Sequence, residues 1–179
     1  MRNLTSRMVR AAKLDPTLFA EVIADPKSHG HAVWVVGFFA IFTGFGTFSR
    51  AGATAVNICT FTTLFAWYLW AFTVFYAGSR FLRVPGHQVD RKAVMRVMAF
   101  ACTPGILRIA GLFLPISLGL FWGTAIWSII VAVVGVKQAL QVPSTNQVAL
   151  LCITSWLAAT FFQGILIVVM FAAFEVGAR

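Results

Sequence analysis

The residues able to do chemistry are few among these 179 positions, and their spacing limits what they can do together. His29 and His31 sit two apart, the tightest pairing of metal-type ligands in the chain. A bound metal or porphyrin wants further His, Cys or carboxylate donors. Only His87 and scattered groups share their side, so both are read as interfacial histidines. Cys59, Cys102 and Cys152 each fall singly inside an apolar run, without the CxxC spacing of a redox or metal site, and are read as packing residues. The carboxylates are Asp15, Glu21, Asp25, Asp90 and Glu175, none of them inside a long apolar run. A nucleophile with its base, or a pair of carboxylates, therefore has nowhere to form within those runs. Neither an enzyme nor a resident cofactor or metal is expected.

A handful of polar positions remains. Asn57, a lone amide in an apolar run, is expected to hydrogen-bond to a neighbouring helix. Pro104 has no N–H to give to the carbonyl of Phe100, so its helix must bend or loosen there, and Thr103 is placed to satisfy freed carbonyls. Arg108 lies close enough to Pro115 to snorkel into outer headgroups. A sharper expectation pairs it with Glu175 in an outer-leaflet ion pair. As the one ionisable group approaching an intramembrane relay, it is too little for proton-coupled transport.

These positions ride on apolar segments. With 60% hydrophobic residues, 11% charged and a mean hydropathy of +0.87, the chain is too apolar for a water-soluble domain. At about 1.5 Å per residue, about 20 residues cross a hydrocarbon layer of about 30 Å. Runs at about 32–48, 51–77, 94–113, 116–136 and 148–174 are long enough. The expected fold class is all-α, a polytopic bundle of five transmembrane helices with an amphipathic N-terminal segment. Residues 1–31 would form that segment on the cytoplasmic side, and 32–179 the membrane domain. Because 1–31 lack the unbroken apolar core of a cleavable signal, the first span is expected to act as its own insertion signal.

The net charge of +9 is informative through its distribution. Arg2, Arg7, Arg10, Lys13, Lys27, Arg80, Arg83, Arg91, Lys92, Arg96 and Lys137 fall on one side of such a bundle, and Arg50, Arg108 and Arg179 on the other. The bias predicts a cytoplasmic N-terminus and 78–93 loop, with the C-terminus outside. Arg7, Arg10, Lys13, Arg80, Arg83, Arg91 and Lys92 are expected to meet anionic lipid headgroups, at about 1 kcal/mol each near the surface. Nucleic acid is not an expected partner, because the loop offers no groove-reading element.

Local signals refine the elements. Leu4, Met8, Ala11 and Ala12 recur at helical spacing between basic residues, as in a membrane-surface or partner-binding helix. Asp15-Pro16 reads as an N-cap followed by proline at the first helical position. Ala40 and Gly44 form a small-xxx-small pair, and Gly119 and Gly123 a GxxxG spacing, both compatible with close helix approach. Trp67 and Trp70 lie too deep for an aromatic belt, which predicts packing against other helices or a partner.

From Arg96 onward the chain resembles the YIP family, the Ypt-interacting proteins and their bacterial relatives. The resemblance rests on Arg96-Val97-Met98-Ala99-Phe100-Ala101-Cys102-Thr103-Pro104-Gly105-Ile106-Leu107, on Leu114-Pro115, and on Ile126-Trp127-Ser128-Ile129-Ile130 leading to Gly135-Val136-Lys137-Gln138-Ala139-Leu140. Asp15-Pro16 to Phe19 is a fainter echo upstream. The resemblance implies five membrane helices with a cytoplasmic N-terminus. In eukaryotic members it also implies binding of trafficking GTPases, but the acidic and aromatic N-terminal motifs of those members are missing here. The short leader resembles the bacterial type, which implies a multi-pass protein of the inner (cytoplasmic) membrane with a periplasmic C-terminus.

The function expected is that of a non-catalytic scaffold or accessory subunit, partnered by membrane lipids and by other integral membrane proteins through its helix faces. The alternative is a small transporter or channel for a neutral or lipid-like solute, using a polar cavity beside Thr103, Pro104 and Asn57.

Overall fold

Aspartates open two of the helices. In the computed structural model, which describes residues 4–46, 48–82, 84, 88–113 and 116–177, Asp15 accepts from the backbone N–H of Thr17 at 2.9 Å and Pro16 follows at the first helical position. Both features suit a helix start, where N–H groups lack intrahelical partners and proline has none to waste. The result is α2, Pro16–Ala24, joined to α1, Leu4–Ala12, through Leu14 in the left-handed region. Asp90 caps α5, Arg91–Ala101, in the same manner, accepting from the N–H groups of Lys92 and Ala93.

The remaining helices are α3 (Ser28–Gly46), α4 (Phe48–Phe81), α6 (Ser117–Leu140) and α7 (Thr145–Gly177). Helical continuity in α4 breaks at Gly52, whose φ of 75° suits a residue without a Cβ. Among the described residues five segments are long and apolar enough to cross a membrane: Ser28–Gly46, Gly52–Phe81, Arg91–Leu112, Leu118–Leu140 and Thr145–Phe174. The chain is thus an all-α multi-pass membrane protein. The first crossing begins four residues before the apolar run, so His29 and His31 lie in its first turn.

Within lipid the hydrophobic effect does not drive helices together, so close packing must do so. Gly44 supplies it between α3 and α4: a Cβ there would collide with the Thr60 side chain and lie 2.7 Å from the Val56 carbonyl. Trp70 donates its indole N–H to the Cys152 carbonyl at 3.1 Å, tying α4 to α7. Trp67 donates to the Met98 carbonyl at 3.4 Å, so the deep tryptophans pack on the chain's own helices.

The N-terminal helices share that core. Leu18, Phe19 and Val22 are fully buried in one cluster with Val94, Val97 and Phe100 of α5 and Val131 and Val136 of α6. Arg96 is buried and donates to the carbonyls of Val22 (3.0 Å) and Ile23 (2.8 Å). Those carbonyls belong to the last turn of α2, where they lack helical partners and carry the negative end of the helix dipole.

The third crossing departs most from a regular helix. Its α-helical part stops at Ala101, and Thr103–Leu112 continues as a 3₁₀ helix of ten residues. Pro104 explains the change, since it cannot bond back to Phe100. The Phe100 carbonyl accepts instead from the Thr103 hydroxyl at 2.7 Å, and Gly105 N–H reaches only to Cys102 at 2.9 Å. Sequence alone suggested a kink, but the tighter winding persists for the rest of the span. Side chains three apart now eclipse. Gly105, Arg108 and Gly111 consequently form one row, in which both glycines are buried.

Candidate functional site

Arg108 is the most consequential member of that row. Rather than snorkelling outward, its side chain turns into the bundle, with Nε donating to Thr124 Oγ1 at 2.9 Å. Its guanidinium carbon lies 4.5 Å from the ring centre of Phe121 and 5.2 Å from that of Phe39. The 3₁₀ winding sets Arg108 in one row with Gly105, which packs against Phe39 of α3, and brings the Arg108 backbone close to Gly46 of the same helix. A charge inside a bilayer costs about 2.5–3.5 kcal/mol on insertion scales. Desolvated cation–π contacts, at up to about 2 kcal/mol each, offset a comparable amount. The proposed partner Glu175 has its side chain outside the described residues, and among those described Arg108 makes no ion pair.

The guanidinium borders a cavity of about 50 Å³ to which all five crossings contribute. Phe39 comes from α3, Thr63 and Trp67 from α4, Cys102 from the third crossing, Ser128 from α6, and Trp156 and Gln163 from α7. Ser128 Oγ is buried and has no hydrogen-bond partner among the described residues. Gln163 donates to Thr63 Oγ1 at 3.2 Å. The α6 contributors Phe121, Ala125 and Ser128, with Thr124 beside them, repeat at spacings of three, four and seven, one face of a helix. That spacing was legible in the sequence, but Arg108's orientation, which gives it meaning, was not.

Thr103 and Pro104 are buried, and the Phe39 ring occupies the space where a Cβ on Gly105 would stand. Asn57 is exposed on α4, absent from the cavity lining. This cavity lies around Arg108 and Ser128, and Thr103, Pro104 and Asn57 do not line it.

The basic residues divide into two groups. Arg10 is held at 2.7 Å by Asp15 and at 3.0 Å by Glu21, and Arg7 bonds to His31 at 3.2 Å and to Asp25 at 3.4 Å. The Thr17 hydroxyl and the Arg10 guanidinium pull the Asp15 carboxyl down to about 2. Glu21 and Asp15 in turn raise Arg10 above its ordinary value. Lys13, Arg80, Arg91 and Lys92 are exposed, Arg91 donating to the Tyr68 hydroxyl at 2.8 Å. Arg83 lies outside the described residues.

The outer faces are unevenly used. The third crossing is two-thirds buried across its most apolar stretch, whereas for α7 the figure is 6%. Among the described residues nothing lies within 4 Å of where a Cβ on Gly119 or Gly123 would stand, so this GxxxG spacing is not filled at close range.

A search among curated proteins and another among solved structures find no match. The Yip1 domain family model matches residues 13–171, most of the chain, in keeping with the proline-broken third crossing and the five apolar helices described above. On that match the chain belongs to the Yip1 domain family.

Proposed function

We propose that this Yip1-family chain is a non-catalytic scaffold or accessory subunit that packs beside a larger assembly in the bacterial inner membrane. The observation that carries the reading is α7. Its crossing of 30 residues is about 45 Å long, more than about 30 Å of hydrocarbon even at the usual tilt of about 20°. Leu157, Phe161 and Val168 stand exposed along it. The open Gly119 and Gly123 add a second place where another backbone could come close. Lys13, Arg80, Arg91 and Lys92 would meet anionic headgroups, while Arg10 is engaged by Asp15 and Glu21 and Arg7 by Asp25 and by His31 at the start of α3. On the charge bias the N-terminus is cytoplasmic and the C-terminus periplasmic.

Affinity capture in mild detergent, at native expression, tests the assembly. A partner recovered in fixed stoichiometry, and lost when Leu157 and Phe161 are both replaced by Ala, is the expected result. A clean monomer would refute it. For orientation, a membrane-impermeant maleimide on intact spheroplasts should label Val176→Cys and spare Lys13→Cys. The reverse pattern would overturn the topology.

A further inference from the structure

We propose that the cavity beside Arg108 is a binding site for one carboxylate-sized anion, supplied either by a small free anion or by the head of a fatty acid. Three features of the site point the same way. A guanidinium carries five N–H donors; Arg108 spends Nε on Thr124, and it borders the cavity. Ser128, 5% exposed, brings a buried hydroxyl with no partner to the same lining. Thr63 accepts from Gln163, which leaves its own hydroxyl proton to donate. Donors thus gather at one fixed positive charge, and among the described residues no carboxylate lines the cavity. A buried donor without an acceptor is costly, and a buried cation more so, which makes an anion the complementary occupant.

Size narrows the class further. A single water needs about 10–15 Å³ by this measure, so about 50 Å³ admits a carboxylate or a halide and excludes a whole phospholipid headgroup. Trp67 and Trp156 in the wall form an apolar surround that water would not favour and that the first methylenes of an acyl chain would tolerate.

The same tryptophans make the site readable. The purified full chain in a neutral maltoside detergent is titrated with sodium acetate and, separately, with palmitate below its own micelle concentration, while tryptophan emission and Tm are followed. A saturable emission change with a rise in Tm is expected. Palmitate binding at least tenfold tighter than acetate assigns the anion to a lipid, and equal or weaker binding assigns it to the aqueous pool. Arg108→Gln should lose the response at least tenfold. Ser128→Ala, which removes only the hydroxyl, should weaken it several-fold while the unliganded Tm stays within a few degrees. No saturable response to either anion would overturn the proposal, as would an undiminished response in Arg108→Gln. A response that emerges only in Glu175→Gln would also overturn it, by identifying Glu175 as the resident counter-charge.

Discussion

At the scale of single residues, small side chains set what can approach what. Gly44 admits α4 so closely that Gly44→Ala must displace Thr60 or the Val56 carbonyl. Overpacking of this kind costs about 1–3 kcal/mol, and a lower Tm in detergent would register it. Gly119→Ala adds a methyl where nothing lies within 4 Å, so the Tm of the isolated chain should stay within the change expected of about 0.5 kcal/mol. Arg96 acts by polarity instead of size. Arg96→Met leaves the Val22 and Ile23 carbonyls without their charged donor, a loss of about 1.5–3 kcal/mol. Faster cleavage within residues 4–27 by an added protease should accompany it. Gly44 was conspicuous in the sequence because small residues four apart on an apolar helix have few other uses. Arg96 was counted there only as a charge on the basic side, since nothing local reveals that its acceptors lie more than seventy positions earlier.

At the scale of elements, the α1–α2 pair shows how one polar cluster holds apolar helices in place. Asp15 caps α2 and binds Arg10, which also grips Glu21, while Leu18, Phe19 and Val22 sink between α5 and α6. The Asp15 carboxyl is depressed to about 2 from an ordinary value of about 3.9. A depressed carboxyl contributes stability that is fully present above the unfolded value and is lost as pH falls through the folded one. The pair should therefore loosen between about pH 4 and pH 2. Trp127 donates its indole N–H to the Ala12 carbonyl at 3.0 Å, so its emission should shift in that window. Asp15→Asn should remove the part of the transition due to this carboxyl, and an unchanged profile would show that the cap does not control docking. The N-cap and proline were readable in order along the chain. The docking was not, because the amphipathic spacing of α1 suits a lipid surface and a helix surface equally.

At the scale of the whole molecule, burial is concentrated in the third crossing, whereas in α7 it falls on Val148, Cys152, Ser155 and Ala159 and its most apolar stretch is left largely exposed. Leu157→Ala together with Phe161→Ala should therefore leave the isolated chain's Tm nearly unchanged, since exposed side chains contribute little to its own packing. A Tm loss as large as that of a buried substitution would mean that α7 packs inward more tightly than its exposure implies. Because α1 and α2 share the core of the spans, unfolding followed by tryptophan emission and by circular dichroism should coincide in one transition. Separate transitions would divide the N-terminal helices from the bundle.

Hydropathy, charge and capping are properties of a segment and its immediate solvent, so the linear chain was enough to establish five crossings, the lone cysteines and a membrane core without carboxylates. Which way a side chain faces depends instead on the winding of its own helix and on what stands opposite. After Pro104 ten residues wind as a 3₁₀ helix, and Arg108 on that stretch borders a cavity shared by all five crossings. Only the meeting of helices far apart in the chain could decide that, because the energy of an intramembrane charge is set by the groups around it and not by its neighbours in sequence.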